Sequence, residues 1–221
     1  MRLFANAFSK FLLGFVLVML LLFPAAGGFD YMNGWLFIAL LFVPMFVLGL
    51  VLFFKAPALL EKRLDSKEKR GEQKTVVKLA ALVFLAAFVL AGLDHRFGWT
   101  YVPGWLVAAA SVLLLVSYGL YAEVMRENAW LSRTVEVQQG QQVVDTGLYS
   151  VVRHPMYAVT IVLFLSMPLV LGSWLSFAVF LLYPAVIVVR IKGEEQLLEA
   201  ELEGYKEYKQ RVKYRLLPGI W

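Results

Sequence analysis

The chain has 221 residues, 61% of them hydrophobic and 17% charged, against roughly 45–50% and about 25% in ordinary soluble domains, so a bilayer is the expected solvent. A net charge of +5 is small for a nucleic-acid partner, which the reading excludes, and fits basic loops that face anionic membrane lipids. The chain holds no cysteine, which excludes disulfides and thiolate chemistry; its two histidines, His95 and His154, are far apart and speak against a metal site.

Apolar runs fall at 11–23, 35–54, 76–93, 102–121, 157–171 and 174–191. About 20 apolar residues cross a hydrocarbon core of about 30 Å, and a backbone in lipid must satisfy its own polar groups. Each run therefore predicts a transmembrane helix, the first and fifth being short. The alternating segments of a membrane barrel are missing. Arg2 and Lys10 precede the first run as in a secretory leader, but further spans follow at once, so it is read as the first crossing.

The second loop carries Lys55, Lys62, Arg63, Lys67, Lys69, Arg70 and Lys74, and the fourth carries Arg126, Arg133 and Arg153. The first loop has only Asp30, and 168–174 has no charge. The positive-inside bias then puts both termini and the second and fourth loops in the cytoplasm. The expected fold is an all-α integral membrane protein of about six transmembrane helices. Residues 1–100 are read as an N-terminal unit of three helices and 101–221 as the core that carries the chemistry. Tyr31, Trp35, Trp99, Tyr101, Trp105 and Trp174 are read as helix-end anchors at the headgroups. The stretch 62–74 is read as a solvated, charged linker near acidic headgroups.

The interiors of the first four predicted helices hold almost no ionisable residue, which argues against an ion-coupled transporter. Polar function is left to the fourth loop, the start of the fifth helix and the end of the sixth. Pro155 suits a first helical turn, which places His154 beside the N–H groups that a helix start leaves free. With Arg153, this end could receive an acidic group; alternatively His154 caps the helix and Arg153 reaches the headgroups. Arg190 and Glu194 lie four apart on one helical face, as an intrahelical ion pair or as two ligand contacts. Leu198, Leu202, Tyr205, Tyr208 and Val212 approximate one helical stripe among basic residues. That tail is expected to lie on the cytoplasmic membrane surface as an interfacial helix or to pack on the core. Dinucleotide, Walker, zincin and nucleophile-elbow motifs are missing.

Several elements follow one another in the C-terminal half: Val143-Val144-x-Thr146-Gly147-x-Tyr149, Arg153-His154-Pro155-x-Tyr157, Arg190-Ile191-x-x-Glu194-Glu195, Tyr205-x-x-Tyr208 and Arg215-x-x-Pro218-Gly219. Over about 120–221 this pattern resembles the isoprenylcysteine carboxyl methyltransferase family, a relative of the membrane phospholipid methyltransferases. The resemblance implies an S-adenosyl-L-methionine-dependent methyltransferase, its active site on the cytoplasmic side. It implies cofactor contacts at Gln141, Gln142, Val143, Val144, Tyr149, His154, Pro155, Met156, Tyr157 and Glu194, with Glu136 nearby. Arg190 would be the catalytic residue facing the methyl acceptor. Two positions depart from the family pattern: Val159 stands where glycine is frequent, and Gln141 where histidine is. The acceptor is expected to be a lipidic or hydrophobic small molecule bearing a carboxylate, as in an isoprenylcysteine. Phospholipid N-methylation and thiol S-methylation are alternatives; more distant ones are a sterol-type NADPH reductase and a non-catalytic scaffold.

Overall fold

The computed structural model describes residues 2–65, 68 and 70–221, and for Glu72 the backbone alone. Lys67 and Lys69, counted above among the loop cations, lie outside the described residues. The helices run α1 Arg2–Ala26, α2 Met32–Lys55, α3 Pro57–Leu64, α4 Gly71–Phe97, α5 Gly104–Glu127, α6 Pro155–Val170, α7 Trp174–Phe180, α8 Leu182–Glu201 and α9 Tyr205–Arg211. A 3₁₀ turn lies at Gly147–Ser150. The described residues form helices and no strand, as expected for a chain that lipid forces to pair its own backbone.

Among the described residues, five helical segments are long and apolar enough to cross a bilayer: α1, α2, most of α4, α5, and the stretch Trp174–Glu201 that α7 and α8 share. The fifth predicted crossing is the 16-residue α6, shorter than the others. It runs antiparallel beside α5. Met156 near its start packs with Val124 and Met125, and just beyond its end the Trp174 indole N–H donates to the Tyr101 carbonyl at 3.1 Å. The sixth run is divided between α7 and α8, with Pro184 in the first turn after the break, where no N–H remains to bond back.

The core is aromatic and aliphatic. Phe84 meets Phe164 and Phe180 edge to face at 4.7 and 5.1 Å, a geometry the ring quadrupoles favour. Gly92 lets α4 approach α1: a Cβ there would stand 2.5 Å from the Leu22 carbonyl oxygen. One end of the bundle is tied by Asp94, which is 1% exposed. It accepts from the Thr100 backbone N–H at 2.7 Å and from the Thr100 and Ser173 hydroxyls. Ser173 in turn accepts from Ser176 N–H as the cap of α7.

Tyr31 departs from its expected role. It is buried, donates to the Leu171 carbonyl and stacks on His95 at 4.2 Å, so it ties helices together inside the protein. Trp99, Tyr101 and Trp105 are exposed, as helix-end anchors require.

The other end gathers the second loop, the fourth loop and the C-terminal tail. Arg63 reaches the Tyr121 hydroxyl and the Ser132 carbonyl, and Glu68 accepts from Val135 N–H at 3.1 Å. The tail packs on the core rather than lying free. Leu202, Tyr205, Tyr208 and Val212 are buried against Val137, Val143 and Leu198. They do not lie on one helix, because Gly204 (φ 82°) separates α8 from α9; the stripe's residues are buried together across a bend.

Candidate active site

A cavity of about 880 Å³ opens at this end, within the range of ligand pockets, and continues into the bundle between α1, α2, α4, α5, α6 and α8. Its wall includes Glu136, Gln141, Gln142, Val143, Val144, Tyr149, His154, Met156, Tyr157, Arg190 and Glu194. Pro155 sits behind that wall as the first residue of α6.

The two motif segments from α6 and α8 meet directly. The Tyr157 hydroxyl accepts from Arg190 Nε at 2.9 Å and donates to Glu194. The direct intrahelical ion pair between Arg190 and Glu194 is not formed among the described residues: the side chains share a face, but the Tyr157 hydroxyl stands between them. Arg190 also donates to the Gln73 side-chain oxygen at 3.3 Å and to the Arg133 carbonyl at 2.6 Å, and lies 3.8 Å from Glu68. Three hydrogen bonds thus engage three of its five N–H groups and fix the guanidinium plane before any ligand arrives.

Behind this layer is a buried ionic knot around Glu195, whose side chain is 4% exposed. One oxygen accepts from Arg153 Nε at 2.8 Å and from His154 Nε2 at 3.2 Å; the other accepts from Arg215 Nε at 2.9 Å. Arg153 also donates to the carbonyls of Val212 and Lys213. The backbone N–H groups of Arg153 and His154 donate to Tyr214 and Arg215. The pair therefore does receive an acidic group, the Glu195 carboxylate of the same chain, and the alternative of a cap with a headgroup contact is corrected. Arg153 is buried rather than at the headgroups, and the His154 side chain makes no cap hydrogen bond. The N–H groups of His154 and Tyr157 are already taken. The motif stitches the C-terminal segment to the start of α6.

The Thr146-Gly147 step has a steric cause. Gly147 adopts φ 52°, and a Cβ there would fall 1.6 Å from a Glu127 carboxylate oxygen. Glu127 accepts from Leu148 N–H at 2.9 Å, which sets the 3₁₀ turn that puts Tyr149 on the wall. Tyr208 donates to the Tyr149 carbonyl at 2.7 Å. Burial pushes the Tyr149, Tyr205 and Tyr208 hydroxyls above the usual phenol range, so each keeps its proton at neutral pH.

Three residues escaped the sequence reading. Glu68 and Gln73 come from the stretch read as a solvated linker, yet both are buried, and they surround Arg190. Tyr205, expected only to pack within the tail, lines the cavity, and its hydroxyl is buried with no hydrogen-bond partner among the described residues. A buried donor without a partner on a cavity wall is where a ligand atom would bond.

Residues 99–203 match the phospholipid methyltransferase family. That match bears out the resemblance drawn from the C-terminal motifs. Three curated relatives accompany it. The chain is 32% identical over 138 residues to methanethiol S-methyltransferase 2 of Bradyrhizobium diazoefficiens, covering 62% of this chain and 48% of that protein. It is 30% identical over 96 residues to the uncharacterized protein YpbQ of Bacillus subtilis, 43% of this chain and 57% of that one. It is 31% identical over 91 residues to the mouse Δ14-sterol reductase TM7SF2, 40% of this chain and 22% of the reductase. The matched stretches thus cover about half or less of two of these proteins and 57% of the third. The family's matched residues include α5, the fourth loop, α6, α7 and α8, the elements that build most of the polar wall.

Proposed function

We propose that this protein is an integral membrane methyltransferase that draws its methyl group from S-adenosylmethionine and passes it to a hydrophobic acceptor. The observation that carries the reading is the junction of Tyr157, Arg190 and Glu194 on one cavity wall. The residues present fit the donor: the Glu194 carboxylate and the unpartnered Tyr205 hydroxyl offer polar contacts. Gln141, Gln142, Val143, Val144, Tyr149 and Met156 supply a mixed polar and apolar wall, with Glu136 at its edge. His154 and Pro155 act in this reading through the backbone and Glu195. The positive-inside bias supports a cytoplasmic position for this end.

We favour a carboxylate acceptor. When bound, the donor supplies an electrophilic methyl whose transfer breaks a sulfur–carbon bond, forms an oxygen–carbon bond and leaves the electron pair on sulfur. A carboxylate, with a reference pKa of about 4, is already ionised at neutral pH, so no general base is needed. What remains for the protein is alignment and exclusion of water. Arg190, with its guanidinium plane fixed, is suited to orient an anionic head. Tyr157 fixes Arg190 relative to Glu194, hence acceptor relative to donor.

A second reading, a nicotinamide-dependent reductase, draws on the sterol reductase among the relatives. Calorimetric titration of the purified protein separates the two. S-adenosylhomocysteine should bind in the micromolar range and lose that binding in Glu194→Ala, whereas NADPH should not bind. NADPH binding without S-adenosylhomocysteine binding would favour the reductase, and binding of neither would leave a scaffold.

A further inference from the structure

Three arginines line the cavity wall: Arg63 from α3, Arg133 from the fourth loop and Arg190 from α8. Among the described residues two of them, Arg63 and Arg133, enter no ion pair. Arg190 has Glu68 and the Tyr157–Glu194 pair around it. The hydrogen bonds of Arg63 go to neutral oxygens, the Tyr121 hydroxyl and the Ser132 carbonyl at 3.3 Å. Its guanidinium lies over the Tyr121 ring at 5.6 Å.

Arg133 is the most telling of the three. Among the described residues its guanidinium enters no hydrogen bond or ion pair. Desolvation and then the nearby Arg63 and Arg190 cations push its pKa down. A like-charged pair on a cavity wall is unfavourable by itself and becomes favourable when an anion sits between its members.

The same cavity has a long apolar limb between α1 and α2, where Phe11, Met45 and Phe46 form its sides. Gly14 and Gly49 lie along it with nothing within 4 Å of where a Cβ would stand. Phe8 lines it too, and Phe8 and Phe46 are also exposed at the surface of the bundle. The cavity is therefore itself amphiphilic, cationic at the polar end and apolar along the helices.

We propose that Arg63 and Arg133 form an anion subsite, separate from Arg190, that holds an acidic group on the head of an amphiphilic acceptor whose tail lies in the α1–α2 limb. The inference rests on the methyltransferase reading for the word acceptor, but not for the binding itself. Carboxylate and phosphate share the relevant chemistry, since both offer paired anionic oxygens to a guanidinium fork.

The test uses the full-length protein in nanodiscs of neutral lipid, with four probes: oleate, oleoyl lysophosphatidate, the neutral oleoylglycerol with the same tail, and inorganic phosphate. Both charged amphiphiles should bind about tenfold or more tighter than oleoylglycerol, as charge-assisted hydrogen bonds require, and high salt should narrow the gap. Inorganic phosphate, lacking the tail, should bind far more weakly than either. Arg133→Gln should lose about tenfold toward the charged probes and nothing toward oleoylglycerol, and Arg133→Lys should recover part of the loss. S-adenosylhomocysteine affinity should not move in either variant. Equal binding of charged and neutral probes, or an Arg133→Gln variant that binds oleate normally, would overturn the subsite. Inorganic phosphate binding as tightly as the amphiphiles would overturn the amphiphile and leave a free-anion site. Because donor binding is read separately, a lost S-adenosylhomocysteine signal with intact charge preference would count against the methyltransferase reading alone.

Discussion

The Tyr157 hydroxyl accepts from Arg190 Nε at 2.9 Å and donates to Glu194, so one side chain of α6 fixes two of α8 that lie one helical turn apart. Removing that oxygen should uncouple them without emptying space in the core. Tyr157→Phe is expected to lower turnover about ten- to hundredfold, since hydrogen bonds to charged groups contribute roughly 1.5–3 kcal/mol and about 1.4 kcal/mol is tenfold in rate. Its melting temperature should move little. Initial rates with labelled methyl donor measure this, and an unchanged rate would make the junction merely structural.

Arg190→Lys should impair turnover while S-adenosylhomocysteine affinity stays within about twofold, because an ammonium keeps the charge but cannot reproduce the planar fork. Parallel titration and rate measurements check it. Equal loss of both would place Arg190 in the donor site or in the scaffold.

The knot at Glu195 predicts a stability effect instead. Glu195→Gln leaves Arg153, His154 and Arg215 around a neutral amide. Breaking a buried ionic contact by removing one partner costs roughly 3–5 kcal/mol. A large fall in melting temperature is expected, together with proteolytic release of the tail that follows α9. Glu123→Ala, which removes an exposed pair with Arg126, serves as the control and should melt as the parent does.

Gly147→Ala should disturb the fourth loop, both because φ is 52° and because its Cβ would collide with Glu127. Left-handed backbone at a non-glycine residue costs about 1–3 kcal/mol. Donor affinity should fall through misplacement of Tyr149. Gly147→Ala combined with Glu127→Ala should remain weak, since removing the collision leaves the backbone strain. Full recovery in the double variant would show the collision alone to matter.

Much of this arrangement was legible in the sequence because lipid imposes simple rules. Apolar runs long enough to cross gave the helices, and the order of Arg153-His154-Pro155, Tyr157, Arg190 and Glu194 marked both halves of the polar wall. What remained hidden was contact across distance. Glu68 and Gln73 lie in a charged stretch with every local sign of solvation, and only the return of α8 beside α4 buries them against Arg190 and Gly193. His154 looked like a cap because Pro155 follows it; its partner Glu195 stands 41 positions away. The stripe from Leu198 to Val212 has helical spacing, which cannot reveal that Gly204 bends the chain between its members.

The central claim, that the start of α6 and the end of α8 enclose a methyl donor, is tested most directly by ultraviolet cross-linking of labelled S-adenosylmethionine to the purified protein. Peptide mapping should find the label within 136–157 and 190–208 and nowhere else, with competition by unlabelled S-adenosylhomocysteine. Label that resists competition, or that falls on the opposite end around Asp94 and Ser173, would contradict it.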